Sequence, residues 1–393
     1  MHRLPFPRAS SADPMHGKTP GKMLKSWVRG KNLVLFGILA LSLLMLACQP
    51  EARQSTFGTA GPVAEKQLLL FNVLLWVMVA VFVLVEGALL YAAIRFRRRP
   101  GQGLPKQIHG NTPLEITWTV IPTILILGLG IWSVLTLFEL DQPPASAASN
   151  ALDITVTGHQ WWWEFEYPDA DGNGKLITTA NELRVPVDRA IVVNLRSDDV
   201  IHSFWIPKLA GKVDVIPTRN NRMWFQADET GTFYGQCAEF CGIAHAQMKF
   251  RVQVLSQEDY DTWMAGFGQP PQLSPEAQRG QQIFSSDGGC VVCHTANGAD
   301  TPSVVDGRVR GFLTGGPIAP GPNLTDLATR ETFAAGLVDL NRENLRQWLT
   351  NPDNVKPGNH MAERANVYQT VNGNIRLSQD QVSALIEYLL SLK

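Results

Sequence analysis

The chain has 393 residues, with 34 Lys and Arg against 35 Asp and Glu and a formal net charge of −1. So balanced a charge argues against a polyanion-binding surface and excludes nucleic acid as the main partner. Charged residues make up 18% of the chain, below the roughly 25% of an average soluble domain, so part of it belongs in lipid. The length allows two or three domains.

Residues 1–31 carry Arg3, Arg8, Lys18, Lys22, Lys25, Arg29 and Lys31 with the single acid Asp13, and the apolar run Leu33–Ala47 follows. A basic segment, a short apolar run and a small residue read as an export signal rather than a full span. Cys48 directly follows Ala47, as in the lipobox of bacterial lipoproteins, although Met45 is an unusual occupant of that pattern. Residues 1–48 are therefore expected to be a signal peptide of the lipoprotein type; the alternative is an uncleaved anchor with an incidental cysteine.

Two longer apolar runs, Leu68–Ile94 and Ile116–Phe138, each exceed the roughly 20 residues that cross a hydrocarbon core. They predict a transmembrane helical hairpin over residues 64–141. The loop between them holds Arg95, Arg97, Arg98, Arg99 and Lys106, whereas the outer flanks, Glu51–Glu65 and Glu139–Asp141, lack a basic excess. The positive-inside rule puts that loop in the cytoplasm and everything after Asp141 outside. The export signal requires the same orientation. Glu86, inside the first run, is costly in lipid unless it faces a partner or water; a bundle contact is the first reading and a proton pathway the second.

Residues 142–150 form a flexible exit from the membrane, and an exported domain is expected over 151–265. Leu152, Ile154 and Val156 alternate with polar residues, Asp169–Gly174 is a turn cluster, and strand-like runs recur at 190–195, 222–226 and 249–255. This spacing predicts an all-β sandwich. A Gly-, Pro- and Gln-rich linker, 266–275, leads to residues 276–393, where the pattern is helical at 276–284, 342–350 and 378–392.

Each of the five cysteines has a specific use to offer. Cys290-Val291-Val292-Cys293-His294 is the haem-attachment pattern, in which two thiols form thioethers and the adjacent His binds the iron. A thioredoxin-like site competes for such a motif but needs a βαβ context that is missing here. Met361 is the only methionine after His294 and is the expected second axial ligand, with its neighbour His360 as the alternative. His and Met together raise a haem potential, as suits an electron carrier. Cys237, Cys241, His245 and Met248 lie in one short segment, with a further imidazole at His202. Two thiolates, two imidazoles and a thioether exceed what a tetrahedral zinc needs and suit copper. A second thiolate lets both sulfurs bridge a pair of copper ions; zinc or a Cys237–Cys241 disulfide is the alternative.

These residues carry a family resemblance that covers most of the chain. Gly158-His159-Gln160-Trp161-Trp162-Trp163, the segment Ser197–Trp205 around His202, and the Cys237–Met248 loop, behind two apolar runs, resemble subunit II of cytochrome c oxidase, in the bacterial form with a fused cytochrome c domain. Gly321-Pro322-Asn323-Leu324 and the last helix, with Leu385, Tyr388 and Leu389, resemble cytochrome c. The resemblance implies a multidomain membrane protein: a two-helix hairpin, an all-β cupredoxin-like sandwich and an all-α class I cytochrome c domain.

The resemblance further implies that Cys237 and Cys241 bridge a dinuclear CuA centre, with His202 and His245 as terminal ligands and the Met248 thioether and Glu239 carbonyl as weak ones. The Glu239 side chain would serve a magnesium site shared with subunit I, and one haem c would be bound covalently. Trp161 matches the family's exposed tryptophan for electron uptake. Trp162 and Trp163 read as packing, and Asp199 and Asp214 as contacts to subunit I. The family's carboxylate at the outer end of the second helix aligns best with Gln142, although Glu139 and Asp141 are adjacent, which argues against a proton role there.

The expected function is electron uptake from an external cytochrome c or other donor and delivery through CuA to subunit I, where oxygen is reduced to water with proton translocation. This chain itself supplies no catalytic acid, base or nucleophile. The expected partners are subunit I, subunit III and membrane lipid, and the expected place is the bacterial cytoplasmic membrane, with both exported domains on its periplasmic or extracellular side. A CuA-containing nitric oxide reductase would need nearly the same residues. A membrane-bound copper-delivery protein would not need Met248, two spans and a haem domain.

Overall fold

Two long helices precede the folded domains, α1 (Pro62–Arg95) and α2 (Thr112–Leu140). The computed structural model describes residues 35–39, 52–98, 101, 103, 107–168, 177–296, 304–305, 308–309, 321–368 and 377–393. The expected lipid-bearing Cys48, the 169–174 turn, and Arg99 and Lys106 of the basic loop lie outside these residues. Residues 1–50 form a unit of their own, described only at 35–39, which are helical; the rest of the chain forms a second unit.

At 1.5 Å per residue both helices are longer than the ~30 Å of a hydrocarbon core. Each starts on a proline in its first turn, where the missing N–H costs nothing. At Asn111 the side chain accepts from Leu114 N (3.2 Å) while Glu115 Oε1 accepts from Asn111 N (3.1 Å), a reciprocal cap. In the apolar stretch of α2, the Thr117, Thr119 and Thr123 hydroxyls donate to carbonyls one turn back, so these three are paired within the helix itself. The large apolar side chains of both helices point outward, Leu84, Ile94, Ile126 and Phe138 among them. Glu86 is exposed on α1.

The end of the hairpin away from the basic loop is fastened to the sandwich. Lys66 on α1 pairs with Glu139 on α2, but an exposed ion pair is worth only ~0–1 kcal/mol, and backbone bonds matter more. Ala60 N donates to Lys208 O (2.9 Å), Asp228 N donates to Ala60 O (3.0 Å), and Trp224 Nε1 donates to Leu140 O (3.0 Å).

Among the described residues the sandwich has ten strands: β1 (Leu152–His159), β2 (Trp162–Tyr167), β3 (Ile177–Ala180), β4 (Glu182–Pro186), β5 (Ile191–Ser197), β6 (His202–Trp205), β7 (Lys212–Val215), β8 (Asn221–Phe225), β9 (Gly231–Cys237) and β10 (Lys249–Leu255). They form two five-stranded sheets, β3-β2-β1-β5-β8 and β4-β10-β9-β6-β7. β1 runs parallel to β5 and β4 to β10; the other pairs are antiparallel. Alternate residues turn inward, and Trp163, Phe165, Phe204 and Phe250 meet between the sheets, with Phe204 and Phe250 stacked at 4.5 Å. Such aromatic pairs add about 0.5–1.5 kcal/mol each beyond the area they bury. The short helix α3 (Gln257–Gly266), capped by Ser256, adds Tyr260 to this core, and Phe267 follows it inward.

The last part is helical, with α4 (Pro275–Ser285), α5 (Arg342–Thr350) and α6 (Gln379–Leu389) capped by Ser274, Asn341 and Ser378. Gly280 lets α4 lie directly on α6, since a Cβ there would sit 2.0 Å from Ala384 O. Phe284 and Tyr388 pack edge to face at 5.5 Å in a core with Leu345, Leu349 and Leu385.

This helical domain rests on the sandwich through buried polar contacts. Glu182 Oε1 accepts from Glu331 N (3.0 Å), Thr332 N (2.8 Å) and the Thr332 hydroxyl (2.8 Å). Arg184 reaches Asp326 at 3.2 Å and Thr329 O at 2.7 Å, and Trp263 Nε1 donates to the same Asp326 carboxylate at 2.8 Å. Burial pushes the Glu182 carboxyl above its usual 4.5, against the pull of its hydrogen bonds. A folded-state pKa above the unfolded one means tighter proton binding in the native state, so stability from this group is lost as pH rises from 4.5 through the raised value. Glu182→Gln is expected to flatten that part of the stability–pH curve, measured by thermal unfolding of the solubilised chain. Parallel curves for wild type and variant would contradict the assignment.

Candidate metal centre and adjoining cavity

One end of the sheet β6-β9-β10 gathers the soft ligands. His202 is the first residue of β6, Cys237 the last of β9, and Met248 stands just before β10. The ladder sets their positions: Phe204 lies opposite Cys237, Cys237 N donates to Met248 O (2.9 Å), and Ala238 N donates to Ser203 O (2.9 Å). The intervening loop turns back at Gly242, whose φ of +119° disfavours any side chain. His245 N donates to Gly242 O (3.1 Å), which starts the single turn His245–Gln247.

The result is a compact donor set. Cys237 Sγ and Cys241 Sγ are 3.8 Å apart, with His202 Nδ1 3.9 Å from the first and His245 Nδ1 3.6 Å from the second. Met248 Sδ is 3.9 Å from Cys241 Sγ, and Glu239 O is 3.3 Å from Cys237 Sγ. Both cysteines are free thiols and buried. The Glu239 side chain is exposed.

The imidazole of His202 is oriented from behind. Asp199 Oδ1 lies 2.8 Å from His202 Nε2, so the proton on Nε2 points at the carboxylate and Nδ1 turns its lone pair to the sulfurs. Asp199 is held by Gln160 N and Val200 N, each at 2.6 Å. Burial would raise its pKa, but these bonds and the His202 contact outweigh it, and the carboxyl is held below its usual value. His202 is raised despite burial, through Asp199 and Cys237. The two thiols titrate as a pair: hydrogen bonding from the Cys241 thiol pulls Cys237 well below a free thiol, and the resulting thiolate pushes Cys241 up. Without a cation, then, the pair carries one negative charge; a metal ion would stabilise the second.

The three tryptophans separate into distinct roles. Trp163 is fully buried in the core. Trp162 stacks on His159 at 4.2 Å and packs with Ala180 and Ala335, the latter from the helical domain. Trp161, expected to be exposed, is only 7% exposed, because His360 of the helical domain stacks on its ring at 4.9 Å. Its indole N–H donates to Cys241 O at 3.0 Å, beside Gln160 Nε2 at 2.7 Å on the same carbonyl. Asp214, Asp141 and Gln142 are exposed; Asp214 stands opposite Ser203, the neighbour of His202, in the β6–β7 pair.

A cavity of about 1370 Å³ adjoins the cluster, and its lining includes Cys290, Cys293, His294 and Met361 together with Trp161 and Trp162. Gly289, at φ +59°, starts the tight turn Cys290–Val292 that sets the two cysteines, and His294 N donates to Cys290 O at 2.9 Å. His294 Nδ1 lies 2.8 Å from Pro322 O, so Nδ1 carries the proton and Nε2 is free for a metal. Burial pushes the Cys290 thiol up to about 12 and raises Cys293 as well. Both are therefore neutral thiols, unlike Cys237. Phe284, Leu345 and Leu349 line the cavity, as does Arg330, whose buried Nε has no hydrogen-bond partner among the described residues.

Sequence reasoning missed Asp199's hold on His202, Arg330 and Lys356. Asp199 sits three residues before His202, a spacing that offered a signal. Lys356 gave none, being a lone lysine in a loop; it is 4% exposed, and burial pulls its ammonium down to about 7.

Comparisons with known proteins agree across the chain. The family descriptions "Cytochrome C oxidase subunit II, transmembrane domain", "Cytochrome C oxidase subunit II, periplasmic domain" and "Cytochrome c" match residues 51–136, 152–255 and 277–393. Cytochrome c oxidase subunit 2 of Alkalihalophilus pseudofirmus is 35% identical over 360 residues, covering 90% of this chain and 95% of the relative. Its counterpart in Bacillus sp. (strain PS3) is 38% identical over 377 residues, 92% and 98% of the two chains. That of Bacillus subtilis is 37% identical over 387 residues, 94% and 99%.

The close approach at Gly321 supplies a test of the cavity. A Cβ there would lie 2.7 Å from His294 Cε1 and 2.8 Å from Nδ1, so the ring would have to swing off Pro322 O. Gly321→Ala is expected to lower the fraction of chain carrying covalent haem and to shift its absorption bands. Unchanged haem content and spectrum would show that this segment does not set the His294 ring.

Proposed function

The chain belongs to the cytochrome c oxidase subunit 2 family, and from that premise we propose that it is the electron-accepting subunit of a respiratory oxidase in a bacterial cytoplasmic membrane. Electrons from a cytochrome c or other external donor are taken up at a covalent haem c, passed to a dinuclear CuA centre and handed to subunit I, where oxygen is reduced and protons are translocated. Bound haem and copper supply one-electron chemistry that no amino-acid side chain here provides.

The observation that carries this reading is the convergence of six donors from two separate segments, His202 and the loop Cys237–Met248, on one point. Two thiols 3.8 Å apart with an imidazole Nδ1 within 4 Å of each, plus a thioether and a carbonyl, are more and softer donors than a tetrahedral zinc takes. Cys237 and Cys241 would bridge the coppers, His202 and His245 would cap them, and Met248 and the Glu239 carbonyl would bind weakly. Asp199 fixes the His202 tautomer, and the strand ladder fixes Cys237 and Met248, so these ligands move little when charge changes.

The cavity residues fit a c-type haem: Cys290 and Cys293 for the thioethers, His294 Nε2 for the iron, apolar walls, and Arg330 Nε as an unpaired donor for a haem carboxylate. Met361 is assigned as second axial ligand in preference to His360, whose ring lies on Trp161 and whose Nδ1 is 3.0 Å from Glu363. The exposed Glu239 carboxylate suits a magnesium site shared with subunit I. The outward apolar faces of α1 and α2, with Glu86 among them, suit lipid and contacts to subunit I and subunit III.

Purified full-length chain carrying covalent haem, loaded with copper, is expected to hold two coppers per haem with the unpaired electron delocalised over both nuclei in electron paramagnetic resonance. A single localised copper, or zinc, would overturn CuA and favour copper delivery. Cys237→Ser and Cys241→Ser are each expected to abolish the delocalised signal, and Met248→Leu to keep both coppers while altering the spectrum. In the assembled complex, reduced cytochrome c is expected to drive oxygen consumption; nitric oxide consumption instead would assign the subunit to a reductase of that gas.

A further inference from the structure

The segment Lys356–Met361 joins the two cofactor-bearing domains at one point. Lys356 Nζ donates to the backbone carbonyl of Trp161 at 2.5 Å. Two residues on, Gly358 lies so close to Ile243 of the ligand loop that a Cβ would come within 2.6 Å of its side chain. Asn359 Nδ2 donates to Lys356 O (2.7 Å), and its Oδ1 caps the turn His360–Arg364 by accepting from Ala362 N (2.9 Å). His360, so placed, stacks on Trp161 at an interplanar angle of 27°, and the Trp161 indole bonds to the carbonyl of Cys241. Met361 follows His360 directly and lines the cavity with His294.

A buried ammonium with a single carbonyl acceptor is expensive. It is tolerable only while the segment stays docked, so the contact is specific to this seating of the two domains rather than a general adhesive. Glu182 and Arg184 seat other residues of the helical domain, 326–332; residues 356–361 meet the sandwich through Lys356, His360 and the close packing of Gly358 on Ile243. The linker keeps the domains at high local concentration but cannot by itself select an orientation.

The geometry points to Lys356 and His360 as positioning residues that latch the haem domain onto Trp161, so that the His360–Trp161 stack couples the haem segment to the Cys241 loop. This rests on the function proposed above. With both cofactors bound, the step so coupled would be the transfer of one electron from a haem held by Cys290, Cys293 and His294 to copper held by Cys237 and Cys241. No atom or proton moves with it, and the external donor restores the iron.

The test uses the full-length chain in its oxidase complex, with haem content, copper content and both spectra measured first. Absence of either cofactor from wild type would sink the proposed function and not the latch. Haem-to-copper transfer after flash reduction is then compared with hydrogen exchange of residues 158–163 and 356–365. His360→Ala and Lys356→Met are expected to slow transfer by about tenfold or more, equivalent to about 1.4 kcal/mol, and to raise exchange in both segments together. His360→Phe, which restores a ring, is expected to return the rate to within about threefold of wild type, under 1 kcal/mol on the same scale. Wild-type rates in both disrupting variants, with intact spectra, would overturn the latch. So would a changed axial-ligand spectrum in His360→Ala, which would assign His360 to the iron. If the variants fail to fold, wild type alone decides: exchange at 356–365 as fast as in exposed loops rules the dock out.

Discussion

The backbone ladder among β6, β9 and β10 is the constraint on which the metal centre depends. Bonds from Cys237 N to Met248 O and from Ala238 N to Ser203 O hold the ends of these strands and set the donors before any ion is present. Behind them the rings of Trp163, Phe204 and Phe250 fill the space between the sheets, so the strand ends have little room to shift. The electrostatic cost is concentrated in the two thiols, of which only one readily loses its proton without a cation. A metal ion bound here would have to displace the proton that Cys241 retains, so its binding would release a proton and depend on pH.

The same end of the sandwich serves as the floor of the neighbouring cavity. Trp162 packs against Ala335 and Trp161 lies beneath His360, so the tryptophan segment belongs to the sandwich by chain and to the interface by contact. Polar groups at that interface include buried Glu182, half-buried Arg184 and buried Lys356, each bonded to backbone atoms of the opposite domain. Contacts of this type add modest net stability and penalise any other seating heavily. With the partner tethered, docking need not draw on a strongly charged face, in keeping with the balanced charge of the chain.

The hairpin is fastened to this assembly at one end. Its sandwich-side end is bonded through Ala60 and Leu140, and its basic loop lies at the opposite end, so a single geometry satisfies both the charge rule and the fold. Hydroxyls within α2 turn back on their own helix, and its outer surface is apolar.

Features set by short-range rules were legible in the sequence. The two spans follow from run length, the strands at 152–156 and 249–255 from alternation, the helices at 342–350 and 378–392 from periodicity and caps, and the donor chemistry of Cys237–Met248 and Cys290–His294 from spacing. The short strands at 177–180, 202–205 and 212–215 were not, because four residues of mixed polarity carry too little pattern to separate strand from loop, and the ten-residue helix at 257–266 has only Tyr260, Trp263 and Met264 to mark a buried face. Only the tertiary structure decided that Asp199 orients His202, that Trp161 is covered, and that Lys356 is buried against it. Each depends on side chains brought together from across the chain, and a lone lysine or aspartate has no local pattern by which the energy of such a contact could be read.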